Sequence, residues 1–404
     1  MILGIEKGLA VGKITAPTSK SMAHRLLIAA AMCQGQRSVI RGIDPCEDIL
    51  ATIDCLCTMG VSIEYKRRTA TVVGIDFTKA VPSGALNCRE SGSTLRFLIP
   101  IAWLSGKEIT FVGSKRLLER SQKVYEQIAR DYGLTFEKRE DSITVKGPLC
   151  AGEYFINGNI SSQFITGMML ALSALSGDSR IIVNTDIESE PYVDLTIAAM
   201  SEFKVRVYRE EKASFFIFGG QEYRCAEWRV EGDWSNAAFL DAFNSIGGEV
   251  SLSGLKKRSL QGDRIYPKHF EAISRGFAEI DISDCPDLGP ILFTLAAVNF
   301  GARFVGTKRL RDKESDRIIA MKDELKKFGA ELIVEENSVT VEKRELHRPT
   351  ERLYGHNDHR IVMSLAVLCT MFGGEIEGCE AVKKSYPDFF NNLNKLGINI
   401  HEIN

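Results

Sequence analysis

Six short segments of this chain share one pattern, in which a few polar or charged residues lead directly into a wholly apolar stretch. They recur at intervals of about 50 to 75 residues and span residues 17–32, 89–104, 160–175, 233–244, 284–298 and 357–368. The pattern is typical of a capped helix start followed by a helix that is apolar on nearly every face, and such a helix must be buried. Because helix starts present backbone N–H groups, we expect these segments to suit a small, multiply anionic ligand.

A second pattern lies between these segments and consists of a glycine at a predicted helix end, followed by alternating apolar and polar residues. Longer copies occupy residues 60–74, 133–147, 204–219 and 329–343, and shorter copies begin at Gly248 and Ala278. Glycine suits a left-handed helix end, and the alternation predicts β-hairpins with one buried face. The chain therefore belongs to the α/β class, with a unit of helix, strand, helix and hairpin that is about 70 residues long and is used six times.

Six such units are too many for one core, so we divide them three and three. The predicted middle domain spans residues 18–227. The second domain is discontinuous and combines residues 1–17 with 228–404, because the alternating segment at the end of the chain is expected to pair with the first strand. Two crossovers between the domains predict a hinge that closes over a ligand.

Charge and cysteine usage narrow the class of protein. The formal net charge is -2, from 51 basic and 53 acidic residues, which argues against nucleic acid or a membrane surface as the main partner. The ten cysteines follow no regular spacing and several lie in apolar runs, as reduced thiols do in cytoplasmic proteins. No apolar run reaches membrane-spanning length and no signal peptide is recognisable, so we expect a cytoplasmic protein. Cys55 and Cys57 have no histidine nearby, and we expect no metal site.

The polar residues at the first three helix starts are candidate ligand contacts. Ser21 and Arg25 are four residues apart on a predicted helix and share a face beside Lys20. These three residues can form a cradle for an oxyanion, although the spacing of a P-loop is missing. The next two starts offer small, hydroxyl or amide residues, namely residues 91–94, and Ser161, Ser162 and Gln163. For each start taken alone, an ordinary helix cap is the alternative.

The second half of the chain carries the densest charges. Lys313 and Arg317 are one helical turn apart and bracket Glu314, so we expect two cations to tune the pKa of one carboxylate. A solvated, charged helix start is the alternative. Asp287 precedes an apolar helix, where it caps the helix or acts as a general base. Other basic residues next to predicted helices are Arg120, Arg360 and Lys384.

Eight motifs, in this order, resemble the 5-enolpyruvylshikimate-3-phosphate (EPSP) synthase family of enolpyruvyl transferases, the 3-phosphoshikimate 1-carboxyvinyltransferases. They cover the whole chain and read PTSKSMAHRLL, ESGSTLRF, SSQFITGMML, ESEPYVD, DCPDLGP, KESDRI, NDHRIVMSLAV and KKSYPDFF. The resemblance implies an inside-out α/β barrel in two domains, each built from three βαβαββ units. It also implies transfer of enolpyruvyl from phosphoenolpyruvate to the 5-hydroxyl of shikimate 3-phosphate. Phosphate is released through a tetrahedral intermediate, and no cofactor or metal takes part.

The resemblance also implies roles for the residues at matching positions. Shikimate 3-phosphate would contact Lys20, Ser21, Arg25, Ser161, Ser162, Gln163, Ser189, Asp287 and Lys313. Phosphoenolpyruvate would contact Lys20, Gly92, Arg120, Gln163, Arg317, Arg360 and Lys384. The catalytic residues would be Asp287 as the base, Glu314 as the proton donor to the methylene carbon, and Lys20. The middle domain would be the shikimate-phosphate side, and the discontinuous domain would be the catalytic and phosphoenolpyruvate side.

Two other functions are compatible with parts of this pattern. A sister enzyme of the same fold transfers enolpyruvyl to UDP-N-acetylglucosamine and uses a cysteine in a mobile loop, but the corresponding residues 113–121 contain none. A non-catalytic, anion-binding relative would have lost a catalytic group, whereas Lys20, Asp287, Glu314 and Arg360 are all present. The expected partners are the two small-molecule substrates, with neither nucleic acid nor a membrane, and we expect a monomer.

Overall fold

A computed structural model of the chain describes residues 1–211 and 213–403. Lys212, in the predicted hairpin 204–219, and Asn404 lie outside the described residues. The chain forms two compact units, one made of residues 1–17 with 232–404 and the other of residues 18–231. The strand Glu227–Arg229 pairs in parallel with Arg37–Arg41, which lies in the unit of residues 18–231. The chain therefore leaves this unit after residue 231 rather than after residue 227.

The unit of residues 18–231 contains three four-stranded sheets with one shared topology: a parallel pair, then two antiparallel strands that form a hairpin. In sheet order their strands are Glu227–Arg229, Arg37–Arg41, Thr69–Val73 and Ser62–Lys66; Leu86–Asn87, Glu108–Val112, Ser142–Lys146 and Thr135–Lys138; Glu153–Ile156, Ser179–Val183, Ser214–Ile217 and Val207–Glu211. Its α-helices are Lys20–Ala31, Glu47–Thr58, Gly92–Trp103, Lys115–Glu119, Lys123–Asp131, Ser162–Leu172 and Glu190–Glu202, with a 3₁₀ turn at Phe77–Lys79.

The unit of residues 1–17 and 232–404 repeats this strand arrangement in two of its three sheets, although in one of them the last two strands come from the two ends of the chain and form no hairpin. In sheet order the strands are Ala278–Asp281, Ala302–Val305, Ser338–Glu342 and Glu331–Val334; Leu353–Tyr354, Gly374–Glu377, Ile2–Ile5 and Ile400–Glu402; and the pair Glu249–Ser253 and Val11–Thr15. Its α-helices are Trp234–Asp241, Tyr266–Arg275, Gly289–Val298, Arg317–Lys326, His359–Phe372 and Phe389–Lys395. Its 3₁₀ helices are Asn244–Ile246, Gly262–Ile265, Pro286–Leu288, Lys308–Asp312 and Cys379–Lys384.

The four longer hairpin predictions are confirmed, but the two shorter ones are wrong. Residues after Gly248 and Ala278 form single strands, Glu249–Ser253 and Ala278–Asp281, each in a parallel pair. The strand after Gly248 pairs with Val11–Thr15, far away in the sequence, so a local pattern could not reveal its partner. The predicted pairing of the chain ends is confirmed, because Leu3 lies opposite Glu402.

Each of the six polar-to-apolar segments contains a buried helix, as predicted. Five of these helices begin after a residue whose side chain accepts a hydrogen bond from the first turn, namely Ser19, Ser91, Ser161, Asp233 and Asp358. The fifth segment differs, because a 3₁₀ turn at Pro286–Leu288 leads into the helix Gly289–Val298 without a side-chain cap. Asp287 is therefore not a cap, and its carboxylate is available for other partners.

Three further features concern the cysteine thiols, possible metal ligands and the length of apolar helices. All ten cysteines are free, and most are buried in the two cores. Within residues 1–211 and 213–403, no group of histidine, cysteine, aspartate or glutamate side chains is arranged to hold a metal ion. Across the same residues, no helix is both long enough and apolar enough to cross a membrane.

Candidate functional site

Arg25 is a buried cation near the start of the first helix in the unit of residues 18–231. Only 2% of the residue is exposed. The guanidinium donates to Thr196 Oγ1 (2.8 Å), Ser21 O (2.7 Å), Tyr192 O (3.0 Å) and Thr166 Oγ1 (3.4 Å). Burial lowers the pKa of Arg25 to about 10. Because these acceptors are all neutral and a buried charge is costly without a counter-charge, the site is suited to a ligand anion.

The second and third helix starts of this unit are joined through Gln163. Its Nε2 donates to Ser93 Oγ at 3.0 Å, and its Oε1 accepts from Arg96 Nη1 at 2.9 Å. Arg96 also donates to Ser121 O at 2.9 Å and lies over the ring of Phe164. The amide of Gln163 is therefore fixed in orientation, and two predicted motifs meet at this point.

Gly92 and Arg120 are in close contact. A β-carbon added to Gly92 would lie 2.7 Å from Nη1 of Arg120 and 3.2 Å from Nη2, so glycine leaves room for the guanidinium. Arg120 is 6% exposed, and its Nε has no hydrogen-bond partner among the described residues. The sequence explains its placement, because Ser114 caps the short helix Lys115–Glu119 directly before it.

Lys20 is the first residue of its helix and forms an ion pair with a carboxylate. Its Nζ donates to Asp48 Oδ2 at 2.7 Å, and the two side chains are 16% and 10% exposed. Asp48 lies in the first turn of the helix Glu47–Thr58, where the helix dipole favours its negative charge. The pair fixes the ammonium group near the start of the first helix.

Three predicted serines lie at helix starts of the same unit. Ser161 and Ser162 are each 3% exposed, and Ser161 caps the helix that Ser162 begins. Ser189 precedes the helix Glu190–Glu202 and has φ 57°, in the left-handed region. Serine rarely adopts this conformation, and such strain clusters at functional sites. Ser189 O accepts from the amide of Tyr192, the residue whose carbonyl binds Arg25.

In the other unit, three cations converge on the carboxylate of Asp287. Its Oδ1 is 3.2 Å from Lys313 Nζ and 2.8 Å from Arg317 Nη1, and its Oδ2 is 3.4 Å from Arg360 Nη2. Burial acts to raise the pKa of Asp287, but these cations outweigh it and hold the pKa well below the usual value. The carboxylate is therefore ionised.

Arg317 organises this cluster, because it also binds two further carboxylates. Its Nη2 donates to Glu314 Oε2 at 2.8 Å, and its Nε donates to Asp358 Oδ2 at 2.8 Å. Arg317 is 1% exposed, and the carboxylates raise its pKa despite burial. The predicted helical relation between Lys313 and Arg317 is wrong, since the helix begins only at Arg317 and Lys313 lies in the preceding loop. Both cations nevertheless reach Asp287.

The two remaining predicted cations of this unit are Arg360, which also contacts Asp287, and Lys384. Arg360 Nη1 donates to Asn236 Oδ1 at 3.1 Å, and the guanidinium lies over the ring of Phe239. Lys384 Nζ donates to the backbone oxygen of Asn357. The unit thus holds four predicted basic residues and two predicted acidic ones in defined orientations.

Several residues with a defined place in these clusters were missed from the sequence. They are Asp48, Arg96, Asn236 and Asp358. A signal existed for Arg96, which follows Gly92 by four residues as Arg25 follows Ser21. No local signal existed for Asp48 or Asp358, because their cations lie 28 and 41 residues away in the chain.

Comparison with known proteins shows the family to which this chain belongs. The model of the family described as EPSP synthase (3-phosphoshikimate 1-carboxyvinyltransferase) matches residues 6–393. A 3-phosphoshikimate 1-carboxyvinyltransferase from Clostridium botulinum (strain Eklund 17B / Type B) is 36% identical over 426 residues, covering 99% of this chain and 98% of the relative. One from Clostridium kluyveri is 38% identical over 417 residues, covering 97% and 96%. The chain belongs to the EPSP synthase family, and the resemblance of its motifs is confirmed.

Solved structures show the same fold. An EPSP synthase from Acinetobacter baumannii has a TM-score of 0.79 at 23% identity and covers 100% of both chains. The enolpyruvyl transferase NikO from Streptomyces tendae has a TM-score of 0.77 at 13% identity, covering 99% of this chain and 98% of the other. At these identities the likeness concerns the fold alone, and it confirms the predicted fold class.

Proposed function

We propose that this protein transfers the enolpyruvyl group of phosphoenolpyruvate to the 5-hydroxyl of shikimate 3-phosphate and releases inorganic phosphate. The observation that carries the proposal is the carboxylate of Asp287 held by Lys313, Arg317 and Arg360. The reaction brings two phosphates and a carboxylate together, so it needs fixed cations with a base among them. Family membership and the names of the clostridial relatives support the same activity.

In the addition step, a bond forms between the 5-oxygen of shikimate 3-phosphate and C2 of phosphoenolpyruvate. Asp287 takes the hydroxyl proton, and Glu314 gives a proton to the C3 methylene, which yields the tetrahedral intermediate. In the elimination step the bond between C2 and the phosphate oxygen breaks, C3 gives up a proton to the Glu314 carboxylate, and the protonated Asp287 returns its proton to the leaving phosphate. The ammonium of Lys20 is assigned to the leaving phosphate, where a fixed positive charge stabilises the developing anion.

Ligand binding would adjust both carboxylates for these roles. Asp287 is weakly basic while three cations surround it. When ligand phosphate and carboxylate groups pair with the same cations, Asp287 recovers basicity. Arg317 likewise favours the ionised form of Glu314 through a 2.8 Å ion pair. A ligand anion on Arg317 weakens that preference, so Glu314 is more easily protonated and becomes a proton donor.

We assign different ligand contacts to the two units. Residues 18–231 form the shikimate-phosphate side, since Arg25 is a buried cation that donates to neutral oxygens. Within that unit, Ser21, Ser161, Ser162, Gln163 and Ser189 complete the set for shikimate 3-phosphate, and Lys20, Gly92, Arg120 and Gln163 serve phosphoenolpyruvate. Residues 1–17 and 232–404 form the catalytic and phosphoenolpyruvate side, with Arg317, Arg360 and Lys384 as its cations and Lys313 on shikimate 3-phosphate.

Gly92→Ala is expected to raise KM for phosphoenolpyruvate about tenfold. The added methyl would lie 2.7 Å from Arg120 Nη1, and the flexible guanidinium would move away from the ligand. Stability should change little, because the displaced group is the end of a side chain. Steady-state kinetics and thermal unfolding check both points. The matched control is Gly84→Ala, where a β-carbon would meet no atom within 4 Å; an unchanged KM in Gly92→Ala would contradict the role of Arg120.

The pH dependence should report on Lys313. Burial, with smaller contributions from neighbouring arginines, lowers its pKa to about 8 although Asp287 opposes the shift. The ammonium loses its proton above that pH, so kcat/KM for shikimate 3-phosphate is expected to fall as pH rises through about 8. Lys313→Arg should move this alkaline limb up by more than about two pH units, because arginine keeps its proton. A profile that stays flat to pH 9.5 in the wild type would remove Lys313 from the substrate contacts.

UDP-N-acetylglucosamine is the competing acceptor, and a direct comparison decides between the two. The segment of residues 113–121 contains no cysteine, and Arg120 follows its short helix Lys115–Glu119. Phosphate release from phosphoenolpyruvate should be measured with each acceptor in turn. We expect phosphate release with shikimate 3-phosphate and none with UDP-N-acetylglucosamine. No release with it, or release only with UDP-N-acetylglucosamine, would reject the proposal.

We further propose a cytoplasmic monomer whose partners are the two small-molecule substrates, with neither nucleic acid nor a membrane surface. The net charge of -2 supports this assignment, since nucleic acid and anionic lipid both require a basic excess. Free cysteines, most of them buried, agree with a reducing compartment.

A further inference from the structure

Asn236 is a buried amide at the start of the helix Trp234–Asp241, and the roles described above leave it unassigned. It is 0% exposed. Its Oδ1 accepts from Arg360 Nη1 at 3.1 Å, and Ser385 Oγ lies 3.5 Å from the same oxygen. Among the described residues, its Nδ2 has no hydrogen-bond partner. Leaving a buried donor unsatisfied is costly, so a purely structural role does not account for this side chain.

The orientation of the amide follows from the chemistry of its neighbour. A guanidinium can only donate, so the amide oxygen of Asn236 must face Arg360 and the NH₂ group is the half that remains. Because both atoms belong to one planar amide, Nδ2 lies beside the guanidinium. Arg360 is itself incompletely bonded, since its Nε also has no partner among the described residues. Two adjacent buried side chains thus hold unused N–H donors.

The surrounding groups favour an anion as the missing acceptor. Ser235, the neighbouring residue, is 4% exposed, and its Oγ is another buried polar atom without a partner within the described part of the chain. Ser385 follows Lys384, a proposed phosphoenolpyruvate contact. N–H donors from neighbouring planar groups suit the two oxygens of a carboxylate or two oxygens of a phosphate.

We propose that Asn236 is a further residue of the phosphoenolpyruvate site. Its Oδ1 positions the guanidinium of Arg360, and its Nδ2 donates to the anionic group that Arg360 binds. The identity of that anion rests on the proposed function. The fourth of the repeated helix starts, which the family resemblance left without a role, thereby gains one.

The test uses Asn236→Asp, which has nearly the same shape and keeps an oxygen facing Arg360. It replaces the NH₂ donor by a second carboxylate oxygen, which repels an anion. KM for phosphoenolpyruvate is expected to rise at least about tenfold, while KM for shikimate 3-phosphate changes less than about twofold. Asn236→Ala removes both contacts and should raise the same KM. A purely structural role would lower stability without this split between the two KM values.

Asn244→Asp is the matched control. Asn244 lies in the same unit, and its side chain bonds the backbone of Val250, with Nδ2 to O at 2.9 Å and N to Oδ1 at 2.6 Å. This variant should lose stability but keep the wild-type KM for phosphoenolpyruvate. If Asn236→Asp also keeps that KM within about twofold, the inference is overturned.

The same experiment separates failure of the inference from failure of the proposed function. A wild-type protein that releases no phosphate rejects the function. In that case the thermal shift produced by phosphoenolpyruvate alone decides the inference. A shift in the wild type that is lost in Asn236→Asp supports it. Equal shifts in the two proteins, including no shift in either, overturn it.

Discussion

Replacing Asp287 by asparagine is expected to lower kcat by about 10³-fold, the magnitude of a lost general base. KM for both substrates should stay constant or fall. In the wild type the carboxylate competes with ligand anions for Lys313, Arg317 and Arg360. The amide keeps the shape and removes the competing charge, so anion binding is preserved while proton transfer is lost. Steady-state kinetics and calorimetric binding of each substrate check the two halves of this prediction.

Asp316→Asn is the control for Asp287. Asp316 is a carboxylate of the same unit, where it caps the helix Arg317–Lys326 and lies 3.4 Å from Arg311. The control should change stability little, because asparagine caps a helix about as well as aspartate, and it should leave kcat within about threefold of the wild type. If kcat of the Asp287→Asn variant stays within about tenfold of the wild type, Asp287 is not the base.

Arg317→Met should produce the largest loss of stability. Arg317 is 1% exposed and is the shared partner of Asp287, Glu314 and Asp358. Its removal leaves the buried carboxylate of Asp358 and the partly buried carboxylates of Asp287 and Glu314 without their common cation, which is expected to destabilise the unit by about 3–5 kcal/mol at neutral pH. The loss should shrink as pH falls below about 5, because protonation relieves the repulsion between the carboxylates. Urea unfolding at several pH values measures both effects.

Arg303→Met serves as the control for Arg317. Arg303 also pairs with two carboxylates, Glu279 and Glu335, but its side chain is 41% exposed. Water screens such pairs, so this variant should cost at most about 1 kcal/mol. Equal losses for the two arginines, or a loss in Arg317→Met that does not depend on pH, would show that the buried network is not what stabilises this unit.

Local patterns predicted the parts of the fold that local interactions determine. The buried helices and longer hairpins follow from caps, apolar runs and alternation within one segment, as at Ser19 and Ser91. The 3₁₀ turn at Pro286–Leu288 was not predicted, because Asp287 resembles a cap in sequence. Its carboxylate is instead held by cations from other segments, and a sequence window does not contain them.

The same limit applies to the candidate site. Motifs identified most cations, since basic residues at helix starts are a local signal. Their partners were not identified, because Asp48 and Asp358 meet Lys20 and Arg317 only through folding. Asn236 was missed for the same reason. Its contact with Arg360 joins residues 124 positions apart.

One product analysis tests the central claim most directly. The wild-type protein should be incubated in D₂O with phosphoenolpyruvate and shikimate 3-phosphate, and the products should be followed by proton and phosphorus NMR. Addition followed by elimination predicts one phosphate for each enolpyruvyl ether at the 5-oxygen, with deuterium in its methylene group, because C3 gains and loses a proton during turnover. Phosphate accompanied by pyruvate instead of the ether, or an ether whose methylene carries no deuterium, would contradict the account.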